Sequence, residues 1–210
     1  MNLQFEAAHE LHAFFSSNNI SYCIIDGIAL QHWGEPRFTQ DVDATVLIAF
    51  GEEEKLLEKI FSAFKPRITD AFDFTLKNRV CLVSSSQGCP IDISFGIPGY
   101  EDEVMRRAVE CTIGENMVIK ICSAEDLIIH KAVAGRPKDL DDIESVIIRM
   151  AKKLDDDYIM KWLHQFAELL EMPEITDRFL KPWRMVNKLS CSDSVKKNSR
   201  GEGKTLAVVS

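Results

Sequence analysis

Between Leu3 and Ser17 the apolar positions Leu3, Ala7, Leu11, Phe14 and Phe15 return at three- and four-residue intervals, the spacing of one helix face. Asn18 and Asn19 end that helix. Tyr22–Ile25 is a short apolar run and predicts a strand. Residues 28–33 predict a short helix closed by Gly34 and the nearby Pro36, and residues 41–48 a second strand. Leu56, Leu57, Ile60 and Phe64 mark an amphipathic helix over 52–64, ended before Pro66. Residues 72–76 and 79–83 read as a hairpin pair, "SSSQGCP" as a turn, and 91–95 as a further strand. A helix over 101–109 and a strand over Met117–Ile121 follow. Ser123 and Asp126 resemble a capping box at the start of a helix running to Ala134. Two more helices are expected over 139–153 and 157–170. Strands thus concentrate before residue 122 and helices after it, which predicts an α+β fold with a mixed sheet and a helical C-terminal part. The expected division is an α/β core over 1–122, a helical part over 123–189 and a polar, mobile tail over 190–210.

One feature of the second strand conflicts with ordinary strand chemistry. Asp41 and Asp43 open an apolar run, although Asp is depleted in strands. Residues i and i+2 of a strand share a face, so the two carboxylates stand in parallel, roughly 7 Å apart. A divalent cation beside them relieves the repulsion, and carboxylate oxygens are the ligands Mg²⁺ prefers. Asp92, between Ile91 and Ile93 in "PIDISFG", is a third acid in an apolar strand. It is the candidate that would allow two metals about 4 Å apart, as in phosphoryl-transfer sites. A lone Asp at a strand start also caps turns, without chemistry. The glycine of "DGIAL", directly after a strand and before a short helix, favours the chemical reading, because backbone N–H groups cradle phosphates at such turns.

The composition narrows the setting. With 46% hydrophobic residues in 210, one core-forming domain is expected, and no run approaches the ~20 apolar residues that span a bilayer. The N-terminus lacks the basic start and apolar block of a signal peptide. The six cysteines form no CxxC pair and no zinc-like spacing with histidine, which predicts reduced thiols and a cytoplasmic protein. A net charge of −8 argues against non-specific nucleic-acid binding. The basic stretch of Lys181, Arg184, Lys188, Lys196, Lys197 and Arg200 leaves a local RNA contact open. His9 and His12 read as a surface pair, His130 as packing, and Trp33, Trp162 and Trp183 as core or partner-face anchors.

The glycine turn, short helix and DxD strand together resemble the DNA polymerase β-like nucleotidyltransferase superfamily. The version here, Gly27–Ile28–Ala29, Gly34 and then Arg37–Phe38–Thr39–Gln40–Asp41–Val42–Asp43, is most similar to the AbiEii-type branch, which includes abortive-infection toxins. Aminoglycoside nucleotidyltransferases carry a similar arrangement. A second block, "SAEDLIIHKAVAGRPKDLDDI", resembles the helix whose lysine contacts the nucleotide triphosphate. The resemblance implies transfer of a nucleoside monophosphate from an NTP, with one or two Mg²⁺. Asp41, Asp43 and Asp92 become catalytic and metal-binding residues. Gly27, Arg37, Thr39, Lys131, Arg136 and Asp139 become nucleotide-binding residues, with Lys138 and Asp142 completing a polar cluster. It implies RNA, such as a tRNA end, or protein as acceptor in a toxin–antitoxin setting, with an antitoxin as a further partner. A small aminoglycoside-like acceptor is the alternative. The family usually has a small residue where this chain has Asp26, a carboxylate that would oppose an incoming triphosphate. Either Asp26 turns away, or nucleotide binds weakly, or the chain is an impaired, nucleotide-binding member.

Overall fold

The computed structural model describes residues 2–114 and 116–198. The chain runs α1 (Leu3–Ser17), β1 (Tyr22–Ile25), α2 (Asp26–Trp33), β2 (Val42–Leu47), α3 (Glu53–Ala63), β3 (Lys65–Pro66), α4 (Ala71–Asn78), β4 (Val80–Ser84), β5 (Pro90–Gly96), α5 (Tyr100–Arg107), β6 (Val109–Ile113), β7 (Met117–Ile121), α6 (Ala124–Ala134), α7 (Pro137–Met150), α8 (Asp156–Leu169) and α9 (Glu174–Asn198). The strands form one mixed sheet in the order β3-β4-β5-β2-β1-β7-β6. β1 is antiparallel to β2 and parallel to β7, and β2 is parallel to β5. This is the expected α+β architecture.

The register follows from which side chains must leave water. Val42, Ala44 and Val46 of β2 and Ile91, Ile93 and Phe95 of β5 are buried in the core. The alternate positions of both strands therefore project from the other face. Parallel pairing sets Val42 opposite Ile91 and Asp43 opposite Asp92. A slip of one residue would drive the acids into the core, so apolar burial itself specifies the register that aligns them.

Two expected elements are different. Residues 72–76 are part of α4 rather than a hairpin strand. Phe72, Phe74 and Leu76 alternate, which suggested period 2, but Ala71 and Thr75 are the fully inward positions, one turn apart. Five residues cannot separate the two periods. The Thr75 hydroxyl donates to the Ala71 carbonyl at 2.7 Å, and Arg79 ends the helix in the left-handed region at φ +55°. Residue 109 belongs to β6, opposite Ile121, and not to α5. The Ser123–Asp126 pair also differs in detail. Ser123 Oγ accepts from the Asp126 N–H at 3.1 Å as a cap should, but the Asp126 carboxylate takes the Ser123 hydroxyl at 2.6 Å and the phenols of Tyr158 at 2.8 Å and Tyr100 at 3.0 Å. A fully buried acid is thereby satisfied and ties α5, α6 and α8 together.

α9 starts at Glu174 and continues to Asn198, past the position where the sequence placed the start of a tail, and residues 199–210 lie outside the described residues. Cys23, Cys81, Cys89, Cys111 and Cys122 are unpaired, and Cys191 lies outside the described side chains. Among the described residues no helix is long and apolar enough to cross a membrane.

Candidate active site

Ile25 ends β1 directly opposite Asp43. The chain then turns at Asp26, which takes φ +47°, and enters α2 with no side chain capping its amino end. Gly27 sits here because nothing larger fits. A Cβ at this position would lie 2.6 Å from Thr39 Oγ1 and 2.8 Å from Thr39 Cβ. The same Thr39 hydroxyl donates to Asp41 Oδ1 at 2.9 Å. The glycine turn, Thr39 and Asp41, one residue before β2, are therefore one packed unit. Gly27→Ala is expected to push Thr39 off Asp41, costing about 1–3 kcal/mol of stability in a urea titration and more than tenfold in nucleotide affinity by calorimetry.

Asp43 and Asp92 share the sheet face opposite the core, and Asp41 precedes β2 by one residue. Burial, followed by the charges of Asp41, Asp26 and Asp92, pushes Asp43 up to about 7. Burial raises Asp92 as well, against the opposing pull of Arg67. Arg67, just beyond β3, is ion-paired with Asp92 and donates its N–H to the Leu82 carbonyl at 3.0 Å. A set of half-buried carboxylates coupled by repulsion, with one guanidinium at its edge, is the oxygen donor set that a hard divalent cation takes. These three residues fit Mg²⁺ in residue type. Their oxygens are not drawn within 4.8 Å of one another, which among the described residues is true of Asp26, Asp139 and Asp142.

That second acidic group has a different character. The Lys131 ammonium, 2% exposed, is ion-paired with Asp26 and lies 2.7 Å from Asp142 Oδ2 and 3.2 Å from Asp139 Oδ1. Arg37 grips both Asp142 oxygens at 2.9 Å. Arg136 reaches Asp139 Oδ2 at 2.6 Å and Asp26 Oδ2 at 3.2 Å. Three cations face three carboxylates. Burial alone would raise Asp139 and Asp142, but the guanidinium and ammonium partners outweigh it and hold both below the ordinary range. A metal ion would have to displace Lys131, so the chemistry of this group fits a salt-bridge network better than a metal centre. Local sequence builds it. Gly135 ends α6 in the left-handed region, Pro137 opens α7, and the Arg136 N–H donates to Asp139 Oδ2 at 3.0 Å, capping the helix with the residue that Lys131 needs.

The fold thus brings all the expected site residues to one region, in two linked clusters. Asp41, Asp43, Asp92, Gly27 and Thr39 form one. Arg37, Lys131, Arg136, Asp139 and Asp142 form the other, with Asp26 at the junction. Lys138 is exposed and outside the ion-pair network. Asp26 does not turn away, since three cations hold it. Arg67 was not expected, because it lies 25 positions from Asp92 and nothing local specifies that the two meet. Neither was a cavity of about 180 Å³ beside Asp26, Lys131 and Arg136, walled by Leu127, His130 and Ala134.

With the geometry in place, comparison with known proteins narrows the class. A family described as a nucleotidyl transferase of unknown function (DUF2204) matches residues 95–179. The matched region contains Lys131, Arg136, Asp139 and Asp142 but not the acids of β2 and β5. The crystal structure of ANT(2")-Ia in complex with adenylyl-2"-tobramycin aligns with TM-score 0.54 and 16% identity, over 80% of this chain and 99% of that one. The solution structure of the antibiotic-resistance factor ANT(2'')-Ia aligns with TM-score 0.53 and 13% identity, over 81% and 95%. An antigenic nucleotidyltransferase-like protein from Paracoccidioides brasiliensis aligns with TM-score 0.49 and 16% identity, over 84% and 92%. No curated protein matches the sequence. The fold is that of the nucleotidyltransferases, and the family matched over 95–179 is one of nucleotidyltransferase enzymes. Nothing among these matches singles out the AbiEii-type branch.

Proposed function

We propose that the chain, which has a nucleotidyltransferase fold, moves a nucleoside monophosphate from an NTP to an acceptor hydroxyl, with Mg²⁺ held by Asp41, Asp43 and Asp92. One observation carries this reading. Asp43 of β2 and Asp92 of β5 lie level on paired strands, Asp41 stands just before β2 beside the Gly27 turn, and Asp43 is pushed up to about 7 because it is buried among other carboxylates. Groups so perturbed cluster at functional sites. Bound there, Mg²⁺ supplies charge neutralisation at the transferring phosphoryl group and acidifies the attacking hydroxyl.

The rest of the work falls to the chain itself. The open amino end of α2 offers backbone N–H groups to phosphate oxygens. Lys131 and Arg136 border the cavity that continues from that turn, and Arg37 adds a third positive group. In this reading Asp92 accepts the proton of the acceptor hydroxyl once Arg67 yields it. No side chain need form a covalent bond, so positioning and charge stabilisation carry the rate.

For the acceptor we favour RNA or a protein, in a toxin–antitoxin setting with an antitoxin as partner, by analogy with the branch the signature resembles. The second reading is a small polycationic acceptor, favoured by the net charge of −8. Each NTP labelled on its α-phosphate should be incubated with total RNA, with a protein extract and with aminoglycosides. We expect label on one class of acceptor and one pyrophosphate released per label. Orthophosphate release without a labelled acceptor would indicate a phosphohydrolase. Binding without any product would indicate a nucleotide-binding module.

A further inference from the structure

Asp26 is the anomaly in the second cluster. Asp139 and Asp142 both come from α7, and their side chains are 0% and 6% exposed. Asp26 reaches the same cations from the α2 turn, is 21% exposed, and holds a left-handed backbone, φ +47°, that costs a non-glycine residue energy. Its oxygens meet Lys131, Arg136 at 3.2 Å and Arg37 at 3.6 Å. An anion held by an ammonium and two guanidiniums, at an uncapped helix start and on the wall of a cavity, has the surroundings of a bound phosphate group.

We propose that the Asp26 carboxylate is an internal stand-in for a nucleotide phosphate, so that nucleotide binds by exchange. This rests on the nucleotidyltransferase reading and concerns the same site. The terminal phosphates of an NTP displace Asp26 from Lys131, Arg136 and Arg37, while Asp139 and Asp142 keep those cations in place. Without nucleotide the cluster is charge-balanced, three against three. Asp26 then bridges the α/β core to α6 and α7. With nucleotide bound, the bridge passes to the phosphates. Asp26 is therefore a residue that sets affinity: it lowers binding of any polyphosphate and has no direct part in the chemical step.

The test compares the full-length protein with Asp26→Asn, which removes the charge and suits a left-handed backbone, and with Asp26→Gly, which also removes the side chain. Calorimetry with α,β-methylene-ATP and Mg²⁺, and separately with inorganic tripolyphosphate, reads affinity apart from turnover. Both variants should bind each probe at least tenfold more tightly than wild type, and KM for NTP should fall with kcat changed less than threefold. A merely structural role cannot produce that gain. Equal or weaker binding by a folded Asp26→Asn, with wild-type binding intact, overturns the exchange and leaves the nucleotidyltransferase reading standing. No binding by wild type or either variant overturns both. Should Asp26→Gly fail to fold, Asp26→Asn decides alone.

Discussion

Asp43→Asn should abolish transfer and, in the same protein, raise the stability of the metal-free fold at pH 8. The loss of activity is expected to be ~10³-fold or greater, since a metal-bound carboxylate at a phosphoryl-transfer centre contributes several kcal/mol at 1.36 kcal/mol per decade. The gain follows from Asp43 being pushed from 3.8 to about 7, first by burial and then by Asp41, Asp26 and Asp92. Between those two pH values the folded protein holds a proton that the unfolded chain has released. Stability attributable to Asp43 therefore falls as pH rises through this window, and the full cost is present above pH 7. At 1.36 kcal/mol per pH unit that cost is at most ~4 kcal/mol. Thermal melts in EDTA should show Asp43→Asn above wild type at pH 8 and level with it near pH 4. Adding Mg²⁺ should close the gap by stabilising wild type alone, and more at pH 8 than at pH 5. An Asp43→Asn melt below wild type at pH 8 would remove the case for an uncompensated carboxylate, and ordinary Mg²⁺-dependent transfer by that variant would remove the metal assignment.

The second large effect belongs to Lys131. It is buried and serves Asp26, Asp139 and Asp142 at once. Lys131→Met keeps most of the stem but leaves buried carboxylates short of a cation, which should cost about 3–5 kcal/mol and lower Tm by roughly 6–20 °C for a chain of this size. Adding Asp139→Asn should restore part of that loss, because the offending charge goes with its partner. Nucleotide affinity should stay low in the rescued double variant, since the ammonium is still missing. A double variant that recovers both stability and affinity would assign Lys131 to the fold alone. The acid limb reports on the same network. Asp139 and Asp142 are held below their ordinary values despite burial. Their contribution is present above the ordinary carboxylate range and disappears as pH falls through it, so wild type should lose stability below about pH 4 faster than the double variant does.

Much of this site can be read along the chain. Asp41 and Asp43 announce themselves as acids at the start of an apolar strand, and the turn before them as a glycine between strand and helix, because both violate local preferences at a spacing that a bound cation would explain. Lys131 and Asp139 are visible only through the resemblance of the block around them. Burial of a lysine has no signature in a helix that is apolar on most sides. Asp26 was legible as a misfit but not as a partner: its cations come from residues 37, 131 and 136, and nothing local specifies that they converge. The strand assignment at 72–76 failed for a local reason, since Phe72, Phe74 and Leu76 alternate as a strand would over a run too short to show the helical spacing of Ala71 and Thr75.

By itself, then, the sequence determined the mixed sheet, the parity that turns Asp43 and Asp92 away from the core, and the cap that starts α6. These depend on periodicity and on contacts within a few residues, where the chain has little freedom. Only the tertiary structure decided that β5 lies beside β2 with Asp92 level with Asp43, that Arg67 guards Asp92, and that Asp26 closes a ring of three cations. Such pairings join residues 11 to 110 positions apart. Their energy depends on distance and burial in the assembled fold, which the order of residues does not encode locally.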